Sequence, residues 1–279
     1  MKTTETKRFA PIAAAIAMML VGTSALAATD WDYTLSGSSL CNPATGSGTY
    51  VAECNATAPD LTMSGWSTGT GTTSAPTAGT AFAKAMIYDW GSAGLGVVAS
   101  NESSGATGPH ATDNRFGTDA ILLSFTNAID LESVKIGWNG TDNAGTYDTG
   151  ESSDISILAY TGSTPPAPTM SGATLTNLTS SGWKLVGHYG QVGGLANNTA
   201  VITSAITSSY WLISAYSAGY GSAGVSSSSK GITAGNDYFK LVSITGNNAP
   251  TQQTPEPGGL ALVGLGLLGL MASRRRSTK

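Results

Sequence analysis

The chain has 279 residues, a formal net charge of −4, 11% charged residues and 36 glycines. A charge this sparse and acidic on balance argues against a nucleic-acid binder and against a protein held to anionic lipid by a basic face. The Gly-, Ser-, Thr- and Ala-rich composition leaves little for long helices and suits many short strands joined by Gly-rich turns.

At the N-terminus, Lys2, Lys7 and Arg8 flank the start of an apolar run over residues 9–21, and Ala25-Leu26-Ala27 forms an A-x-A cleavage site. This is the pattern of a secretory signal peptide covering residues 1–27, removed on export. A β domain is expected over 28–246, a linker over 247–254 and a separate C-terminal segment over 255–279. The body between the two end segments, residues 28–254, holds 6 of the 13 basic and 15 of the 17 acidic residues, so its net charge is −9 where the whole chain reads −4. Cys41 and Cys54 are the two cysteines. In an exported chain such a pair reads as a disulfide stapling a hairpin, with a closed loop of about 13 residues contributing about 3 kcal/mol. A two-cysteine metal site is the alternative, and no histidine neighbours it.

Residues 62–79 are a Gly/Ser/Thr run with little to bury and read as a loop. Strands follow. Residues 83–89 form the first. Ile121, Leu123 and Phe125 alternate with Leu122 and Ser124, and Val134, Ile136 and Trp138 alternate with Lys135 and Gly137. Both are the period-two signature of half-buried strands. Residues 155–160, 183–189, 210–216 and 238–244 are further runs of aromatic and branched residues. The Pro-rich stretch 164–168 reads as a long loop within one domain. The expected fold is all-β, a single antiparallel β-sandwich of jelly-roll type.

The body carries few candidates for chemistry. His110-Ala111-Thr112-Asp113-Asn114 is its most conspicuous polar cluster. No G-x-S-x-G accompanies His110, so Asp113 and Asn114 read as turn residues entering the strand after Ala120. Asp142, Asp148, Glu151 and Asp154 fall close together. Carboxylates so grouped suit Ca²⁺ with oxygen ligands, although the spacing misses the EF-hand pattern. Trp66, Trp90, Trp138, Trp183 and Trp211 could form a sugar platform, but their strand positions point to core packing. His188 lies inside a strand with no evident partner and reads as structural.

The C-terminus combines three chemistries in order: Pro255-Glu256-Pro257, an uncharged apolar span over 258–272, and Arg274-Arg275-Arg276. As a helix the span is roughly 22 Å long, short against a bilayer core of about 30 Å. Snorkelling arginines make it a workable but weak membrane helix with its basic end in the cytoplasm. Gly264-Leu265-Gly266-Leu267-Leu268-Gly269 matches G-x-G-x-x-G, but no βαβ unit surrounds it and the chain ends ten residues on, which rejects a dinucleotide site.

These last 25 or so residues resemble the PEP-CTERM sorting signal of Gram-negative bacteria. The resemblance implies that Pro255, Glu256, Pro257, Arg274, Arg275 and Arg276 are read by exosortase, a membrane transpeptidase-like protease. It implies passage through the inner membrane, transient anchoring there by the C-terminal helix, cutting near the Pro-Glu-Pro, and release or attachment at the cell surface. The body, with Gly94-Leu95-Gly96-Val97 and Asp119-Ala120-Ile121-Leu122-Leu123, is loosely similar to bodies found ahead of such tails and carries over no catalytic residue. The expectation is an exported, non-enzymatic surface or matrix protein, structural or adhesive in an exopolysaccharide biofilm, with no cofactor beyond a candidate Ca²⁺ and no nucleic-acid partner. A secreted carbohydrate-binding module is the alternative, marked by exposed Trp or Tyr on one face. A secreted hydrolase ranks below both and would need paired carboxylates in a cleft.

Overall fold

Short runs of alternating apolar residues dictate strands, and strands are nearly all that forms. The structure, a computed structural model, describes residues 30–35, 49–51, 53–56, 61–69, 79–99, 102, 110–115, 117–143, 146–148, 153–163, 170–222, 232 and 237–248. In chain order these give β1 (Asp30–Thr34), β2 (Thr49–Val51), β3 (Glu53–Ala56), β4 (Leu61–Ser67), β5 (Ala83–Asp89), β6 (Leu95–Val98), β7 (Thr112–Asp113), β8 (Asp119–Asn143), β9 (Thr146–Asp148) and β10 (Ile155–Tyr160). A single helical turn, α1 (Leu175–Leu178), precedes β11 (Trp183–Tyr189), β12 (Thr199–Val201), β13 (Thr207–Ala215) and β14 (Asp237–Asn248).

All the named strand pairings are antiparallel and belong to one ladder, ordered β1-β14-β6-β5-β4-β8-β13-β10-β11. An additional β14–β8 pairing closes β14, β6, β5, β4 and β8 into a five-stranded barrel. The expectation of a β-rich body holds. The ladder, however, is one closed and extended sheet where two separate sandwich sheets were expected. The reason lies in β8, which is 25 residues long. Its first part pairs with β4 and β13, and its later part pairs with β14. The two strands expected around residues 121–125 and 134–138 are thus one strand that turns the corner between two parts of the ladder. No Gly or Pro interrupts residues 126–133, and Ile129 and Leu131 stay buried through the corner.

The core has two compartments. Ile121, Leu123, Phe125, Ile157, Trp211 and Ile213 fill the main one. Leu122, Leu158, Leu212, Trp66 and Trp183 point the other way, into a second one roofed by Phe82, Met170, Leu175, Leu178 and Tyr220. The strand expected to be half-buried is therefore covered on both faces, as its uninterrupted Ala-Ile-Leu-Leu run permits. Burying each such side chain contributes about 1.5–3 kcal/mol. α1 is too short to stand alone. The Thr174 side chain accepts from the Asn177 backbone, and the Asn177 side chain accepts from the Thr174 backbone, closing a capping box.

The reading of 62–79 as a loop is corrected at its start: β4 is a strand with Leu61, Met63 and Trp66 in the core. β10 and β11, on either side of the Pro-rich stretch 164–168, pair directly with each other. β1 pairs with β14 in the register Asp30↔Asn247, so the chain enters and leaves the described body at one end of the sheet. The signal-peptide and C-terminal segments lie outside the described residues. Among the described residues no helix is long and apolar enough to cross a membrane.

Candidate functional site

The polar cluster at His110–Asn114 sits where three loops meet. β7 brings Thr112 and Asp113 beside Phe239 and Tyr238 of β14, and β8 begins at Asp119, which is 2% exposed. Glu102, Asp113 and Asp119 converge so that one carboxylate oxygen from each lies within 4.8 Å of the others. They meet beside Ser67, Gly69, Ala99 and Gly117, packed closely enough to leave no room for a free water-sized void.

Backbone donors hold the three carboxylates in place. The Ala99 N–H donates to Glu102 Oε2 at 3.0 Å, the Asp113 N–H to Asp119 Oδ2 at 3.3 Å, and the Arg115 N–H to Asp113 Oδ1 at 3.0 Å. Burial, then the neighbouring Asp113, pushes Glu102 up to about 8, while the Ala99 N–H pulls the other way. Burial and the charges of Asp113 and Glu102 hold Asp119 well above the usual carboxylate range, against the Ser67 hydroxyl and the Asp113 N–H. Crowding of like charges favours the protonated form of Glu102 and Asp119. The oxygen donor set is of the kind that hard cations take.

A second group of acids ties loops to strands. Asp154 and Asp237 are both fully buried. Asp237 Oδ1 accepts from the Asp154 N–H at 2.8 Å, and Asp154 Oδ1 accepts from the Gln191 N–H at 2.6 Å. Asn114 completes the latch: its Oδ1 accepts from the Asp237 N–H at 2.8 Å and its Nδ2 donates to the Tyr216 carbonyl at 2.8 Å. Burial raises Asp237 to about 8, opposed first by the Asp154 N–H.

His110 and Lys240 share an aromatic box. The Lys240 ammonium lies 3.8 Å from the Trp90 ring centroid and 4.0 Å from that of Trp138. Burial lowers it to about 8. The His110 ring stacks on Trp90, its carbonyl accepts from Trp90 Nε1 at 3.1 Å, and burial followed by the Lys240 charge lowers its pKa. Its backbone has φ 39°. Gly96 permits the close crossing, since a Cβ there would come within 1.8 Å of the His110 carbonyl oxygen.

His188, expected to be structural, has a specific partner. Its Nδ1 lies 2.8 Å from Ser156 Oγ and its Nε2 lies 2.8 Å from the Gly221 carbonyl. The carbonyl can only accept, so Nε2 donates to it, and Nδ1 bonds the Ser156 hydroxyl. The serine is fully buried and the histidine 4% exposed, which makes the pair a cross-strand tie between β10 and β11.

Of the carboxylates proposed for Ca²⁺, Asp154 belongs to the Asp237 latch. Asp142 and Asp148 lie on the paired strands β8 and β9, and Glu151 falls outside the described residues. Cys54 lies on β3 opposite Met63, and Cys41 is outside the described residues. Trp66, Trp183 and Trp211 are buried, and Trp138 is 37% exposed. Glu102, Asp119, Asp237 and Lys240 were not legible as site residues. The available signal was an acid directly abutting an apolar run, as Asp119 abuts residues 120–123.

Pro255, Glu256, Pro257, Arg274, Arg275 and Arg276 lie outside the described residues, and the deciding observation there is a family match. Residues 253–276 match the model of the PEP-CTERM protein-sorting motif. The chain carries a PEP-CTERM tail. The PEP-CTERM motif implies export and exosortase-dependent sorting to the cell surface. No curated protein matches the chain, and no solved structure matches it.

Proposed function

We propose that this is a non-enzymatic surface or matrix protein. In this reading exosortase cuts it from a membrane-anchored precursor, and its acidic β body acts as a structural or adhesive element in an exopolysaccharide biofilm. The PEP-CTERM match over residues 253–276 carries the reading. Several residues that could do chemistry also support it, because they have structural tasks. Ser156 and His188 tie two strands, Asn114, Asp154 and Asp237 latch loops, and Lys240 fills its own aromatic box. The carbohydrate-binding alternative loses support with Trp66, Trp183 and Trp211 in the core.

The test is protease shaving of intact cells with and without exosortase. The body should be accessible at the surface only when exosortase is present. Equal accessibility in both hosts would remove the reading.

A further inference from the structure

We infer that the outer edge of β11, with the cleft beside it, is a docking site for an extended peptide segment of another protein, one with alternating apolar residues and a carboxylate. The site is independent of how the tail is sorted.

β11 ends the ladder, and its strand partner among the described residues is β10 alone. No backbone group among the described residues bonds the outer side of 184–189. A cleft of about 450 Å³ runs along that side, between Lys184, Leu185, Val186 and Tyr189 and the segment 203–206. The cleft wraps the edge. Leu185 packs on the second core compartment, Val186 and Ile206 pack on the main one, and all three line the cleft. From Lys184 to Tyr189 is roughly 16 Å at strand rise, the length of about five residues of an added strand. A chain lying there in extended form bonds the open backbone edge and sends alternate side chains to the two faces.

The cleft also holds a polar anchor. Tyr189 is 2% exposed yet lines the cleft, and no group among the described residues bonds its hydroxyl. A buried hydroxyl left unbonded is unfavourable, and an incoming peptide carbonyl relieves it.

Charge selects the occupant. Lys184 is exposed and is the only charged residue lining the cleft, so it favours a segment with a carboxylate. A second copy fits poorly. Val186 is the extra residue of a β-bulge, between Leu185 opposite Leu158 and Gly187 opposite Ile157. A bulge together with an edge lysine is a common bar to the pairing of like edges. The body's net charge of −9 also repels its own copies. A sugar ring takes an exposed aromatic face, and the one aromatic side chain lining the cleft, Tyr189, is buried.

The probe is a fluorescein-labelled peptide, Glu-Val-Thr-Val-Thr-Val, titrated with the detergent-solubilised full chain and read by fluorescence anisotropy. It should bind saturably. The same peptide N-methylated at every residue cannot donate to the edge and should bind about tenfold more weakly or worse. Lys184→Glu should weaken the unmethylated probe by about tenfold, and Tyr189→Phe by about two- to tenfold, the worth of one hydrogen bond. Tyr189→Phe should melt with the unaltered chain, because its hydroxyl bonds no other part of the described fold; a lowered melting temperature would give that hydroxyl a structural task and remove the anchor. No saturable binding up to about 1 mM, or binding that survives both N-methylation and Tyr189→Phe, would overturn the site. A dimer disrupted by Lys184→Glu would give the edge to a second copy, and binding of labelled oligogalacturonate with none of the peptide would give it to a glycan. Either result overturns the peptide reading.

Discussion

Replacing Asn114 with alanine should destabilise the body by about 2–4 kcal/mol. The Asn114 side chain satisfies the Asp237 N–H and the Tyr216 carbonyl, and adds a 3.3 Å bond from its Nδ2 to Asp237 Oδ2. Asp237 is fully buried, so its N–H would lose its partner out of reach of water. Each buried group left unmade costs about 1–3 kcal/mol, with the half-buried Tyr216 carbonyl at the low end. For a body of this size the melting temperature should fall by roughly 5–15 °C. Scanning calorimetry reads the shift. Asn177→Ala is the control, because it removes only an exposed α1 cap contact and should cost about 1 kcal/mol. A fall below about 2 °C, or one no larger than the control's, would refute the latch.

Three other outcomes follow from the same geometry. Glu102 sits near 8 in the folded body and near 4.3 unfolded. The folded state then holds the extra proton, so this group's contribution falls as pH rises from about 4.5 to 8. Glu102→Gln should reduce the fall in urea midpoint between pH 5 and pH 8, with the raised Asp119 and Asp237 keeping the remainder. Lys240 has the opposite sign, because burial holds it near 8 against about 10.4 unfolded. Stability should rise between those values and Lys240→Met should flatten the rise, which midpoints at pH 8 and pH 10 would check. Gly96→Ala should cost about 2–4 kcal/mol because the new Cβ meets the His110 carbonyl. At Gly79 nothing lies within 4 Å of an added Cβ, and alanine there should leave thermal melts nearly unchanged.

The strands that announce themselves by apolar alternation were legible to the residue: 83–89, 155–160 and 183–189 coincide with β5, β10 and β11. β4 was missed because its composition is that of a loop. Gly65 is there for packing, since a Cβ would press to 3.0 Å from the Met86 carbonyl. Closure of the barrel depends on β8 bending at residues that carry no breaker signal, and local pattern cannot report a pairing between β8 and β14 that spans a hundred residues. The carboxylate cluster is short-range in sequence, but its acids are spaced irregularly and match no ligand motif. The fold turns Glu102, Asp113 and Asp119 onto one point, whereas the acids that looked grouped in sequence, from Asp142 to Asp154, include one that the fold spends on the Asp237 latch. The tail was legible because its three chemistries are local and ordered.

Mass spectrometry of the mature C-terminus, from hosts with and without exosortase, tests the central claim most directly. With exosortase, the mature form should end near Pro255-Glu256-Pro257 and lack Arg274–Arg276; without it, the arginines should remain. Mature protein that keeps all three arginines in both hosts would contradict the account.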